Sequence, residues 1–167
     1  MTHEQFEQAA QYWKKKERII MPEEALKQAV EKYIHKNNTC ALATGNGDYV
    51  RCTPIEYSYH DEKFWMFSEG GEKFIGLEKN ANVSLAIFDK YDGFSNLRSL
   101  QIMGHAEIIE PFSDCYNAHA EYKKIPLEAL KKLENPMNLI CVTPVRIDVL
   151  FSDLKKSGYS IRQTLDC

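Results

Sequence analysis

From Thr39 to Ile109 the chain reads as a close succession of strand-like runs around a single short helical stretch, and this spacing constrains the fold more than any other feature. The first run, Thr39 to Thr44, meets Gly45-Asn46-Gly47-Asp48. Asn-Gly is a strong tight-hairpin signal because both positions tolerate positive φ. The second run, Tyr49 to Tyr59, alternates so that Arg51, Thr53, Ile55 and Tyr57 share one face, with Val50, Cys52, Pro54 and Glu56 on the other. Pro54 removes a ladder donor and marks an edge or a bulge. A third, aromatic run covers Lys63 to Ser68, and a fourth, apolar on both faces, covers Asn82 to Asp89. The fifth, Leu97 to Glu110, sets Leu100, Ile102, Gly104, Ala106 and Ile108 on one face, as a barrel interior requires. A closing strand spans Asn138 to Ser152. These runs predict a mainly β fold, a β-barrel with peripheral helices.

The turn GGEKFIGLEKN, Gly70 to Asn80, separates the third and fourth runs. A strand that ends in two glycines before a lysine opening a short helix is a phosphate-binding arrangement. Free N–H groups at a helix start favour an anion, and Lys73 adds a full charge. A plain turn with a solvated lysine is the alternative.

Helices are expected outside the barrel. Thr2 and Gln5 have capping-box spacing, with Phe6, Ala9, Ala10 and Trp13 on one face. After Pro22, Ala25, Leu26, Ala29, Val30, Tyr33 and Ile34 recur at helical spacing. These helices are expected to cover one barrel end. Two more helical runs cover Phe112 to Lys124 and Pro126 to Leu133. The 167 residues fit one domain with one core. It divides into N-terminal helices at 1–38, a barrel at 39–152 with a helical insertion at 112–134, and a tail at 153–167.

A net charge of -3 gives no electrostatic case for nucleic acid or an anionic membrane surface. Lys14-Lys15-Lys16, beside Glu17 and Arg18, reads as a solvated helix end. No apolar segment approaches bilayer-spanning length and the N-terminus lacks signal-peptide order, so a cytoplasmic protein is expected. Five scattered cysteines argue against a disulfide framework, and Cys40, Cys52 and Cys141 fall in strand-like runs where a free thiol packs as a small hydrophobe. The five histidines show no metal-ligand spacing, so no metal is expected. His105, beside Glu107 on one strand face, suits a surface hydrogen bond, proton transfer or haem binding.

The succession LATGNGDYVRCTPIEYSYHDEKFWMFSEGGEKFIGLEKNANVSLAIFD, followed by LQIMGHAEII, resembles the FMN-binding split barrel related to pyridoxamine 5'-phosphate oxidase. The resemblance implies a six-stranded antiparallel split barrel, FMN as cofactor, and a homodimer with flavin sites at the interface. It assigns the flavin phosphate to Arg51 and Lys73. Backbone of Cys52, Thr53 and Pro54 would meet the ring edge, Phe67 and Ser68 would lie near the ribityl chain or phosphate, and Ser99 or Gln101 would close the site. If the protein is an enzyme, the flavin carries the redox chemistry on a small-molecule substrate and no protein nucleophile is needed. The family pattern is altered in places. Glu56 stands where a second basic residue is usual, Ser-Arg-Lys becomes Gly71-Glu72-Lys73, and Asn-Pro becomes Asn80-Ala81. The arginine- and histidine-bearing C-terminal substrate segment has no counterpart in KKSGYSIRQTLDC, which argues against pyridoxamine phosphate as substrate. A flavin-binding protein without turnover, and a related barrel using haem or a deazaflavin, are the other readings.

Overall fold

The computed structural model describes residues 1–167. Eight strands occur: β1 Thr39–Asn46, β2 Tyr49–Glu56, β3 Ser58–His60, β4 Lys63–Ser68, β5 Asn82–Phe88, β6 Arg98–Ile109, β7 Asn138–Phe151 and β8 Arg162–Asp166. Five α-helices accompany them: α1 His3–Gln11, α2 Glu23–Lys36, α3 Lys73–Leu77, α4 Asp114–Tyr122 and α5 Leu127–Lys131. Every strand pairing is antiparallel, in the order β2-β1-β5-β6-β7-β4-β3, with β8 added to β7. The class is the expected one, a curled antiparallel sheet with helices around it.

The strand count is eight rather than six, for two physical reasons. The single run expected from Tyr49 to Tyr59 breaks at Tyr57. Its N–H donates to the Asn38 carbonyl at 2.8 Å and its hydroxyl donates to the Ile34 carbonyl at 2.8 Å, which takes it out of the ladder. β2 therefore lies on one edge of the sheet and β3 on the other, so this residue is where the barrel is split. The second addition is β8, in the segment expected as a tail, where the register Arg146↔Asp166 to Leu150↔Arg162 lengthens the sheet.

Alternation along the central strands builds two cores. Inside the curl, Leu42, Leu85, Leu100, Ile102, Ile140 and Val149 pack against Leu26, Val30, Tyr33 and Ile34 of α2. On the reverse of β4 and β7, Trp65, Leu139 and Cys141 lie with Ile109 under Tyr116 and Ala120 of α4 and Leu130 of α5. Pro54 does sit on the edge strand, where its missing donor leaves no gap in the ladder.

Three expectations are corrected. Ile108, read as interior, is 43% exposed, because the barrel wall ends there and Ile109 turns into the second core instead. Cys52 is exposed while Cys40 and Cys141 are buried, since its position on β2 points to the outer face. Of the N-terminal helices only α2 covers the barrel. α1 has the expected capping box at Thr2 and Gln5 but buries no residue, leaving Phe6 and Trp13 exposed. No helix is long and apolar enough to cross a membrane.

β6 and β7 run side by side over most of their length, with a register shift after Met103: Met103 faces Arg146, yet Gly104 faces Pro144, so Val145 is an extra residue on β7. Such a bulge bends the bulged strand and increases its twist. Gly104 admits the bent strand, because a Cβ there would lie 2.6 Å from the Thr143 carbonyl oxygen and 2.8 Å from Val142 Cγ1. Gly104→Ala is expected to destabilise the fold by about 1–3 kcal/mol, the usual cost of overpacking. Urea denaturation measures this, and an unchanged midpoint would show that β7 yields freely.

Candidate functional site

β4 ends at Ser68, and the chain turns through Gly70 at φ 140° and Gly71 at φ 103°, where an L side chain would be strained. The Ser68 hydroxyl fixes the turn, donating to the Gly70 carbonyl at 3.1 Å and accepting from the Gly70 N–H at 3.2 Å. α3 starts directly afterwards, and Asn80 anchors its far end by donating from Nδ2 to the Gly45 carbonyl of β1 at 2.9 Å. The turn is thereby held against the hairpin end of β1 and β2.

This docking brings Arg51 and Lys73 into one electrostatic neighbourhood. The Lys73 side chain is buried and its ammonium donates back to the Gly70 carbonyl. Burial lowers the Lys73 pKa, and the positive charge of Arg51 lowers it further. Arg51 donates from Nη1 to Glu72 Oε2 at 2.7 Å, and the Tyr49 hydroxyl lies 3.3 Å from the Glu72 carbonyl oxygen. α3 has only five residues, so the expected helix-start dipole is slight. Charge at the turn comes from side chains. Two cations that repel each other keep hydrogen-bond donors to spare, and this donor set fits a phosphate. Glu72 is the one opposing carboxylate, and the sequence reading did not identify it as the partner of Arg51.

The other residues assigned from the sequence fall into separate groups. Ser68 is part of the glycine turn. Thr53 shares the Arg51 face of β2, whereas Cys52 and Pro54 lie on the opposite face, paired with Ala43 and Ala41. Phe67 points to the second core, with its ring centroid 5.3 Å from Tyr116 and 5.1 Å from His119. Ser99 and Gln101 are not brought to the turn. They lie on β6, beyond β1 and β5, and line a different cleft with Trp13, Arg146 and Arg162.

A second polar constellation escaped the sequence reading because its parts are 59 residues apart. His60 Nε2 and His119 Nδ1 are 2.9 Å apart, and Asp61 Oδ2 is 2.8 Å from His60 Nδ1. With Asp61 accepting from the Nδ1–H of His60, His119 Nδ1–H completes the chain by donating to His60 Nε2. Trp65 stacks on His60 at an interplanar angle of 4°. Burial first, then the charges of His60 and Lys123, push the His119 pKa down to about 4, against the pull of Glu56. The neutral imidazole is therefore the one the fold accommodates. Because the folded pKa lies below the unfolded value near 6.5, the stabilisation is fully present above pH 6.5 and is lost as pH falls toward 4. About 2–3 kcal/mol is expected to disappear over that interval. Urea midpoints at pH 7 and pH 4.5 test this, and His119→Phe should flatten the difference. An unchanged slope in that variant would assign the pH dependence to other groups.

The family model for pyridoxamine 5'-phosphate oxidase matches residues 26–151. No curated protein matches the chain. Among solved structures, the chain is similar to an FAD-binding protein from Mesorhizobium loti, at a TM-score of 0.57 and 18% identity over 70% of this chain and 88% of that one. It is similar to HutZ, the haem storage protein from Vibrio cholerae, at a TM-score of 0.57 and 16% identity, again over 70% and 88%. A haem-binding protein from Mycobacterium smegmatis aligns at a TM-score of 0.62 and 16% identity, over 89% of this chain and 60% of that one. Likeness at these identities shows a common fold.

Proposed function

The chain belongs to the pyridoxamine 5'-phosphate oxidase family, and from that premise we propose that it binds FMN through Arg51 and Lys73. The observation that carries this reading is the buried Lys73 ammonium, bonded only to the Gly70 carbonyl and set beside a second cation. When bound, the flavin supplies redox chemistry at its isoalloxazine ring. This chain's part is to hold the phosphate at the turn, to offer the ring the backbone of Cys52, Thr53 and Pro54 on the edge strand, and to exclude water from it. A flavin-dependent oxidoreductase acting on a small molecule in the cytoplasm is the function we infer.

The site is best completed by a second copy. The outer faces of β1, β2, β5 and β6 carry the small residues Ala41, Ala43, Ser84 and Ala86. Val50, Phe88 and Met103, exposed by 77, 64 and 55%, stand around them. An exposed face with small residues at its centre and apolar side chains around them suits a homodimer, with a flavin held between the chains and Ser99 or Gln101 reaching the partner's site. Light scattering with and without FMN tests it. A stable monomer that still binds one FMN per chain would overturn the shared site.

Haem is the second reading, favoured by His105, which is exposed on the outer face opposite Asn82. Absorbance of the purified protein, with mass analysis of the released ligand, separates flavin, deazaflavin and haem.

For FMN the charge arrangement makes a specific prediction. Arg51→Ala or Lys73→Ala should weaken FMN roughly tenfold to a hundredfold and leave riboflavin nearly unchanged, since a charge-assisted hydrogen bond contributes about 1.5–3 kcal/mol. Glu72→Gln should tighten FMN roughly tenfold, because it frees Arg51 and removes a like charge from the phosphate. Equal effects on both flavins in titrations would place the phosphate elsewhere.

A further inference from the structure

The segment that carries Ala10, Trp13 and Lys14 runs beside the outer faces of β6, β7 and β8 and closes a cleft of about 330 Å³ with Ser99 and Gln101. Those two side chains are the ones that reach the partner's flavin in the homodimer proposed above, so whatever shares their cleft shares that site. We infer that the N-terminal segment of each chain is a wall of the flavin site of the other, with Trp13 set against the isoalloxazine ring. This wall presupposes the FMN and homodimer reading and adds Trp13 to it. Within one chain Trp13 is kept from the turn that carries Lys73, because β1 and β5 lie between β2 and β6.

α1 is a helix without a partner in its own chain. Thr2 and Gln5 close its capping box, and Phe6, Ala9 and Ala10 form an apolar stripe that Trp13 continues, yet α1 buries no residue. Phe6 is exposed, and Trp13 is 48% exposed. Nine residues are too few for a helix to be stable on propensity alone, so its order depends on what packs against the stripe. A bound ring and the chain beneath it supply that packing.

Trp13 is held in place without being covered. The Arg162 Cζ lies 4.3 Å from the centroid of its ring and the Lys16 Nζ 4.9 Å, and the Tyr12 ring packs edge-on at 5.0 Å. Farther along, the Ile19 N–H donates to the Ser160 hydroxyl at 3.0 Å and the Ile19 carbonyl accepts from Gln163 Nε2 at 3.1 Å. The Met21 N–H donates to Gln163 Oε1 at 3.2 Å. Gln163 is buried, so the N-terminal segment is anchored in β8 and Trp13 stays at the cleft. A half-exposed indole, fixed by cations and tethered to a buried anchor, is preorganised for a flat apolar ligand.

Fluorescence of the FMN-loaded, full-length protein tests this, because indole in contact with an isoalloxazine quenches its emission. Trp13→Leu, a change at an exposed position, should leave thermal unfolding of the ligand-free protein unchanged and raise the emission of bound FMN several-fold. It should weaken FMN and riboflavin alike, by roughly threefold to tenfold, as loss of an aromatic contact does. Lys73→Ala, by contrast, acts on FMN alone. Mixed dimers of a Trp13→Leu chain with a Lys73→Ala chain show which chain supplies the indole. One of their two sites then combines Lys73 with the partner's Trp13 and should bind FMN with wild-type affinity and quenched emission, while the other lacks both. Mixed dimers with no wild-type site would overturn the wall. So would FMN whose emission and riboflavin whose affinity are both unchanged by Trp13→Leu, and either result leaves the phosphate reading standing. Failure of the wild-type protein to bind FMN would overturn both.

Discussion

The close passage of β7 over Gly104 is the constraint on which the rest of the molecule depends. β6 and β7 are its two longest strands, and they can stay paired through a bulge only because no Cβ stands in the way of the Thr143 carbonyl. The bend gives the sheet one enclosed side, filled by α2, and one side open to other uses. It also lets β7 serve two different neighbours in sequence. Its first half holds β4, whose end delivers the glycine turn and Lys73. Its second half holds β8, which delivers Arg162.

What the sequence makes legible is what local periodicity and turn chemistry control. The hairpin after β1, the alternation in β6 as far as Ala106, the capping box of α1 and the glycine-lysine turn are short-range patterns and occur where they are expected, although the hairpin turns on Gly47 and Asp48, with Asn46 still in β1. The break at Tyr57 is not legible, because it is caused by hydrogen bonds to Ile34 and Asn38 on another element. β8 is missed for a related reason. Arg162 to Asp166 alternates weakly, and pairing with β7 rather than intrinsic propensity makes it a strand. The exposure of α1 runs the other way. A good cap and an apolar stripe predict a helix, but they do not specify what the stripe will meet.

The candidate site shows the same division. Arg51 and Lys73 are identifiable as residues, and Ser68 through its place before the glycines. That Arg51 is held by Glu72 requires the docking of α3 on the hairpin, which Asn80 secures. Ser99 and Gln101 are assigned by resemblance to the same site as Lys73, yet within one chain they face a different cleft. A residue pattern records membership of a site without recording which copy of the chain supplies each part.

The two acidic departures from the family pattern are alike in effect. Glu56, standing where a basic residue is usual, is bonded to Lys123 at the end of α4 at 2.7 Å. Glu72, in the place of an arginine, is bonded to Arg51 at 2.7 Å. Each carboxylate engages a cation of this chain instead of leaving it free for a ligand. Both pairs are solvent-facing, so their worth to stability is slight, and their consequence lies in the field they cancel. What remains without an anionic partner at the turn is Lys73, short of solvent, its pKa lowered by burial and then by the charge of Arg51. On the proposed reading, a phosphate arriving there offsets the repulsion between Lys73 and Arg51 and competes with Glu72 for Arg51, so the affinity of this site is governed by the exchange of one anion for another.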